Sequence, residues 1–418
     1  MTSHILQKVW RTVDIKDVHH TLQHLLPAHI LLLSSYITLR CVLLISLVLS
    51  HNNEQKRKEK CPLKTEQSIP HYTALVIGAA GVIGGNLIDY LMTLPEWNII
   101  GVSRRGGKDT PRLRYISADL LSEADTKAKL SDLTSVTHIF YAAYQDRPTW
   151  AELVQPNLAM LVNVVNTIEP IAPNLQHISL MQGYKVYGAH LGPFKTPARE
   201  TDAHHMPPEF NVDQQQFLEN RQPKSNWTWS ALRPSVVCGF ALGNPMNLAM
   251  VIGIYASISK ELGLALRFPG RPGAFDSLLE MTDASLLARA TVWAATDPRC
   301  ANQAFNITNG DLFRWNELWP KIAAFFELET APPLPLSLAT TMADKEPLWN
   351  SMIEKYDLMN TPYEAVSSWA FGDFVFSWDY DFFADGSKAR RFGFYEFVET
   401  ESMFMNIFKD LRERKIIP

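Results

Sequence analysis

Three features predict an α/β fold: a doubly wound parallel sheet with a smaller, mostly helical C-terminal part covering a substrate. Short apolar runs alternate with helical stretches from residue 72 onward, and a glycine-rich turn at 78–84 joins the first strand to the first helix. The last hundred residues are rich in Trp and Phe. At 418 residues the chain exceeds one small domain. A net charge of −4 provides no basic field, which argues against a nucleic-acid partner. Cys41, Cys61, Cys238 and Cys300 are scattered without CxxC or Cys/His spacing, so reduced thiols in the cytoplasm are expected rather than a disulfide framework. His204-His205 lacks the helical spacing of a zinc pair, and no metal is expected.

Composition divides the chain into an extension at 1–70, a nucleotide-binding part at 71–245 and a mixed covering part at 246–418. The last should return one strand to the sheet near 304–308. Within the extension, residues 30–49 form an apolar stretch long enough to span a bilayer, followed by a charged run at 54–60. Arg40 near its middle costs about 2.5–3.5 kcal/mol, which thirteen Leu, Ile and Val residues can offset. A candidate membrane anchor and an extension with no role in catalysis both remain open.

The nucleotide-binding part begins with Tyr72 to Ile77, a run suited to a buried parallel strand. Gly78-Ala79-Ala80-Gly81-Val82-Ile83-Gly84 follows, and Ile83, Leu87, Tyr90, Leu91 and Leu94 then recur at helical spacing before Pro95. In this context Gly78 allows the tight turn, Gly81 the approach of a pyrophosphate and Gly84 close helix packing, as in a Rossmann-type dinucleotide site. The helix N-terminus, Val82 and Ile83 included, adds partial positive charge toward the phosphates. The second strand, Asn98 to Val102, runs into Ser103-Arg104-Arg105 where NAD-selective sites carry Asp or Glu. A hydroxyl and two guanidiniums suit a 2′-phosphate, at about 1.5–3 kcal/mol per charge-assisted bond, so the expected cofactor is NADP(H).

Further strands are read at 114–117, 138–143 and 175–180. The first leads to Asp119 and Leu120 beside the expected adenine, and the second ends in the small residues Ala142 and Ala143. Helices are read at 149–168 and 247–262. The loops after the strands should converge on the ligand.

From about Ala74 to Pro418 the chain resembles the progesterone 5β-reductase/iridoid synthase-like (PRISE) group of atypical extended short-chain dehydrogenases. GAAGVIG at 78–84, VSRR at 102–105, LMQGYKVYG at 180–188, LGPFKTPARE at 191–200, WSALRPSVVCGFALGNPMN at 229–247 and AFNITNGDLFRWNELW at 304–319 carry the resemblance. It implies NADPH-dependent reduction of an activated C=C bond in an enal or enone, or of a related carbonyl, in a small apolar molecule. It also implies a catalytic Lys at Lys185 and packing of Val236 against the nicotinamide.

The family's catalytic Tyr, the second in N-F-Y-Y-D, falls on Val212 of Glu209-Phe210-Asn211-Val212-Asp213. Valine cannot donate to the enolate oxygen that hydride delivery creates. Three readings follow: Tyr184 or Tyr187 substitutes; Asn211 or water supplies a weaker donor; or the chain is a catalytically impaired NADP-binding protein, a sensor or scaffold. Trp349, Trp369, Phe371, Phe374, Phe376 and Trp378 suit either an apolar pocket or a plain core.

Overall fold

The computed structural model describes residues 72–418 apart from His204, His205 and Pro245. The extension at 1–70, its candidate membrane segment and the His204-His205 pair lie outside the described residues. Among those described, no helix is long and apolar enough to cross a membrane, and no His, Cys, Asp and Glu cluster could hold a metal ion.

Seven strands among the described residues build one sheet: β1 (Tyr72–Ile77), β2 (Trp97–Ser103), β3 (Leu113–Ser117), β4 (His138–Tyr141), β5 (His177–Met181), β6 (Thr228–Pro234) and β7 (Gln303–Ile307). Their order is β7-β6-β5-β4-β1-β2-β3, and every neighbouring pair is parallel. The order reverses between β1 and β4, which is the switch point where such sheets bind ligands. Ile77 pairs with Val102 on one side and Tyr141 on the other, so the loops leaving β1, β2 and β4 emerge at one edge.

Ala74 to Ile77 are wholly buried, as expected for a central strand covered on both faces. Leu75 and Ile77 point to one face and Ala74 and Val76 to the other, following the two-residue period of a strand. The first face packs on α3 (Trp150–Ile168), reached through α2 (Glu123–Leu130), and on Leu218 of α4 (Phe210–Arg221). The second packs on α1 (Val82–Thr93) through Leu87, Ile88 and Leu91. Each fully buried Leu or Ile contributes roughly 1.5–3 kcal/mol to holding these layers.

The C-terminal part is built around α5 (Leu248–Glu261), whose residues Leu248 to Ser259 are all buried. A helix apolar on every side must sit inside other elements. Beyond it, α6 (Ala284–Thr296) returns to lie against α1, and β7 joins the sheet beside β6. Both belong to the sheet layers although they follow residue 245. Helices α7 (Trp315–Phe325), α8 (Glu346–Tyr356), α9 (Trp369–Phe376) and α10 (Thr400–Glu413) complete the second core. Phe268, Trp315, Trp319 and Phe376 pack there with ring centroids 5.2–6.0 Å apart.

Candidate functional site

The turn after β1 is shaped by clearance. The amides of Gly78 and Ala79 both donate to the Val102 carbonyl at 3.0 Å, tying the chain to β2 as it leaves the sheet. Gly78 has φ +89°, and a Cβ there would lie 2.7 Å from the Ala142 carbonyl. A Cβ at Gly84 would lie 2.3 Å from the Gly78 oxygen, so α1 can start this close only without a side chain. No side chain caps α1 at Gly81, which leaves its first-turn amides available. This cradle, with Gly81, Val82 and Ile83 bordering open space, fits the pyrophosphate of a dinucleotide.

That space is a cavity of about 710 Å³ running along the carboxyl edge of the sheet. Gly78, Gly81, Val82, Ile83, Ser103, Arg104, Arg105, Asp119, Leu120, Ala142, Lys185 and Val236 all border it; Gly84 lies behind the turn. Arg104 is exposed, with Nη1 3.5 Å from Gln145 Oε1, and Arg105 reaches across to donate to the Leu242 carbonyl at 3.3 Å. Neither guanidinium is in an ion pair among the described residues, so both can take an anion. Asp119 instead accepts from the Leu121 amide, a turn contact.

Beyond Ala142 and Val236 the wall becomes aromatic, with Phe371, Phe374, Trp378 and Phe382 on the cavity. Trp378 stacks on Phe382 at 4.0 Å. The aromatic residues of the C-terminal part thus divide. Trp349 and Phe376 are core, Trp369 packs against that core, and Phe371, Phe374 and Trp378 face the cavity.

Lys185 follows β5 in a short 3-10 turn (Tyr184–Tyr187). Its ammonium lies over the rings of Trp150, Tyr144 and Phe210 at 4.8, 5.3 and 6.0 Å. Burial lowers its pKa from the ordinary lysine value, and the charges of Glu209 and Asp146 oppose that shift. Glu209 is buried and caps α4, accepting from the amides of Asn211 and Val212 at 3.3 and 3.2 Å and from the Asn211 side chain at 2.7 Å. Burial raises the Glu209 pKa, against the hydrogen bonds from Asn211 and Val212 and the charge of Lys185. The amide of Gln182 spans from the Asn211 carbonyl to Arg233 Nε, both at 2.8 Å. The result is a desolvated cation held in an aromatic cage on the cavity wall, where π faces hold it without neutralising it.

The structure does not bring the two candidate phenols to that cation. Tyr187 is absent from the cavity wall, and its hydroxyl donates to Asn306 Oδ1 while accepting from Arg233 Nη1 at 3.2 Å. Tyr184 presents its ring to the cavity, but its hydroxyl donates to the buried carboxyl of Glu280. Burial, followed by the nearby Glu280 charge, raises the Tyr184 pKa well above the usual phenol value. Asn211 borders the cavity with one amide proton committed to Glu209. Val212 is half-buried in the first turn of α4 and packs against the C-terminal core.

Sequence reasoning missed Tyr144, Trp150, Phe210 and Glu209 around Lys185. Tyr144 was within reach, since it directly follows the small residues Ala142 and Ala143 at the end of β4. The position of Trp150, at the start of α3, depends on how a loop folds back and has no sequence pattern of its own.

The PRISE-like Rossmann-fold domain model matches residues 113–418. Among curated relatives, the (S)-8-oxocitronellyl enol synthase ISY1 of Nepeta racemosa is 36% identical over 365 residues, covering 82% of this chain and 93% of the relative. The 3-oxo-Delta(4,5)-steroid 5-beta-reductase of Arabidopsis thaliana is 32% identical over 388 residues, covering 87% and 97%. Among solved structures, the UDP-glucose 4-epimerase of Thermotoga maritima aligns with a TM-score of 0.60 at 17% identity, over 82% of this chain and 99% of that one, a likeness of fold alone. With the 3-2-1-4-5-6-7 sheet and a cavity bordered by both the glycine cradle and Lys185, these matches show that the chain belongs to the PRISE-like Rossmann-fold family of extended short-chain dehydrogenase/reductase-type oxidoreductases.

Proposed function

We propose that the chain is an NADPH-dependent reductase of an activated C=C bond, in an enal or enone of a small apolar metabolite. The observation that carries this reading is the continuity of one cavity, from two guanidiniums outside any ion pair among the described residues, past a glycine cradle, to a caged ammonium and an aromatic wall. When bound, the nicotinamide cofactor would supply hydride. The residues of the chain divide the remaining work. Arg104 and Arg105 favour a cofactor bearing a 2′-phosphate, and the amides of the first turn of α1 favour its pyrophosphate. Lys185 places positive charge where an enone oxygen gains negative charge, in a site whose low polarity makes that charge count for more. Phe371, Phe374, Trp378 and Phe382 exclude water and favour an apolar substrate.

The names of the two relatives, an enol synthase and an enone steroid reductase, support this substrate class. The test is NADPH consumption by the purified chain over a panel of enals, enones and ketones. Consumption with at least one enal or enone, faster with NADPH than with NADH, is expected, and an inert protein overturns the reading.

Val212 favours a second reading, an impaired nucleotide-binding protein acting as a sensor or scaffold. Val212→Tyr separates the two. A rise from a near-zero rate identifies a decayed catalyst, whereas loss of an already substantial rate identifies rebuilt chemistry.

A further inference from the structure

The proposed reduction needs a neutral hydrogen-bond donor beside Lys185, and Val212 removes the donor expected from the family pattern. Among the described residues, Tyr144 and Tyr184 are the phenols that border the cavity. Their partners differ in kind. The hydroxyl of Tyr184 serves Glu280, which is 2% exposed, and turning away would take one hydrogen bond from a buried carboxyl that the Ala384 amide also serves at 2.6 Å. The hydroxyl of Tyr144 donates to Asp146 Oδ1 at 2.9 Å, and Asp146 is exposed, so water replaces the phenol when it turns inward. The Tyr144 ring is fixed by Phe210 at 5.8 Å and lies beneath the Lys185 ammonium. Of the other polar groups on the cavity, Gln182 uses both ends of its amide, the Ser235 hydroxyl donates to the Glu280 carbonyl at 2.8 Å, and Asn211 gives one of its two amide protons to Glu209.

We infer that Tyr144 is a catalytic residue of this chain, donating its hydroxyl hydrogen bond to the substrate carbonyl oxygen in the place the family pattern gives to position 212. The inference rests on the reductase reading above. In that reaction the β-carbon would gain the hydride that a bound nicotinamide cofactor supplies, and the α-carbon would later gain a proton from water. Between the two, the electron pair displaced from the C=C bond rests on the carbonyl oxygen, where Tyr144 and Lys185 meet it. Tyr144 keeps its proton throughout. Burial raises its pKa, as do its bond to Asp146 and the Asp146 charge, so it remains a neutral donor across the physiological range.

Tyr144→Phe tests this, since it keeps the ring that packs on Lys185 and Phe210 and removes only the hydroxyl. The expected result is a fall in kcat of about 10²–10³-fold on an enone, with the Kd for NADPH and the thermal midpoint unchanged. A second readout needs no turnover. 4-Nitrophenolate carries an oxyanion on a flat apolar ring, and its absorbance reports both binding and ionisation. Tyr144→Phe is expected to weaken its binding at least tenfold. Equal kcat or equal nitrophenolate affinity in the variant and parent overturns the role of Tyr144, as does failure of the parent to bind nitrophenolate. A parent that binds NADPH but reduces no enone instead sinks the reductase reading beneath it. The two failures are thus distinguishable.

Discussion

At the scale of single residues, Lys185 is the group whose environment decides most. Its cage of Trp150, Tyr144 and Phe210 holds a cation in a place water cannot fully solvate, which depresses its pKa. Since the charged form is the useful one, activity should fall as pH rises through that depressed value, below the ordinary lysine range. Lys185→Met should lower kcat about 10²–10³-fold and abolish this alkaline limb, measured as kcat against pH. Cofactor choice is also a matter of individual side chains. Replacing both Arg104 and Arg105 by Ala should weaken NADPH by at least about a hundredfold, at about 1.5–3 kcal/mol per lost contact. NADH, lacking the 2′-phosphate, should change little, and calorimetry with both cofactors checks the difference.

At the scale of elements, the β1–α1 unit works because two backbone segments nearly touch. A methyl at Gly84 would stand 2.3 Å from the Gly78 carbonyl, and neither atom belongs to a flexible side chain. Gly84→Ala must therefore move α1 off the sheet, at a cost of about 1–3 kcal/mol by chemical denaturation. The same displacement carries the first-turn amides away from the pyrophosphate, so cofactor affinity should fall with stability. The pattern of helix after glycine turn was legible in sequence because a continuous apolar run and a period of 3.6 residues are both local. The division of aromatic residues between core and cavity was not. Phe374 and Phe376 stand two apart on α9, yet the first borders the cavity and the second packs on Trp315 and Trp319. Composition is the same on both sides of a short helix; only what lies opposite differs.

At the scale of the whole molecule, the sheet buries titratable groups that make stability depend on pH. Burial lowers the pKa of His138 to about 4 and of His177 to about 3. Both are neutral in the folded sheet, where His177 bonds to Thr228 and Ser230. An unfolded chain would protonate them near 6.5, so it binds more protons than the native state from there down to the folded values. Stability therefore falls as pH drops from about 6.5 toward 4 and below. Glu280 works in the opposite direction: burial raises its pKa to about 8, and its contribution, complete below the unfolded carboxyl value near 4.5, is lost as pH rises through 8. The thermal midpoint should thus decline on both sides of the near-neutral range. Glu280→Gln, which keeps an amide where a protonated carboxyl stood, should flatten the alkaline side, as thermal melts across pH 5–9 would record.

What the chain determined by itself was the parallel α/β architecture, the glycine turn and the basic stretch after β2, all properties of neighbouring residues with a fixed period or spacing. The absence of a phenol at position 212 was equally plain in the sequence. What took its place was not. Tyr184 and Tyr187 flank Lys185 along the chain, yet the turn that carries them points their hydroxyls at Glu280 and Asn306. Tyr144, forty-one residues earlier, arrives under the ammonium because β4 and β5 are adjacent strands in register and their loops leave the same edge. A side chain's direction in a loop is set by which buried group most needs its hydrogen bond, and that competition exists only once distant segments are packed together.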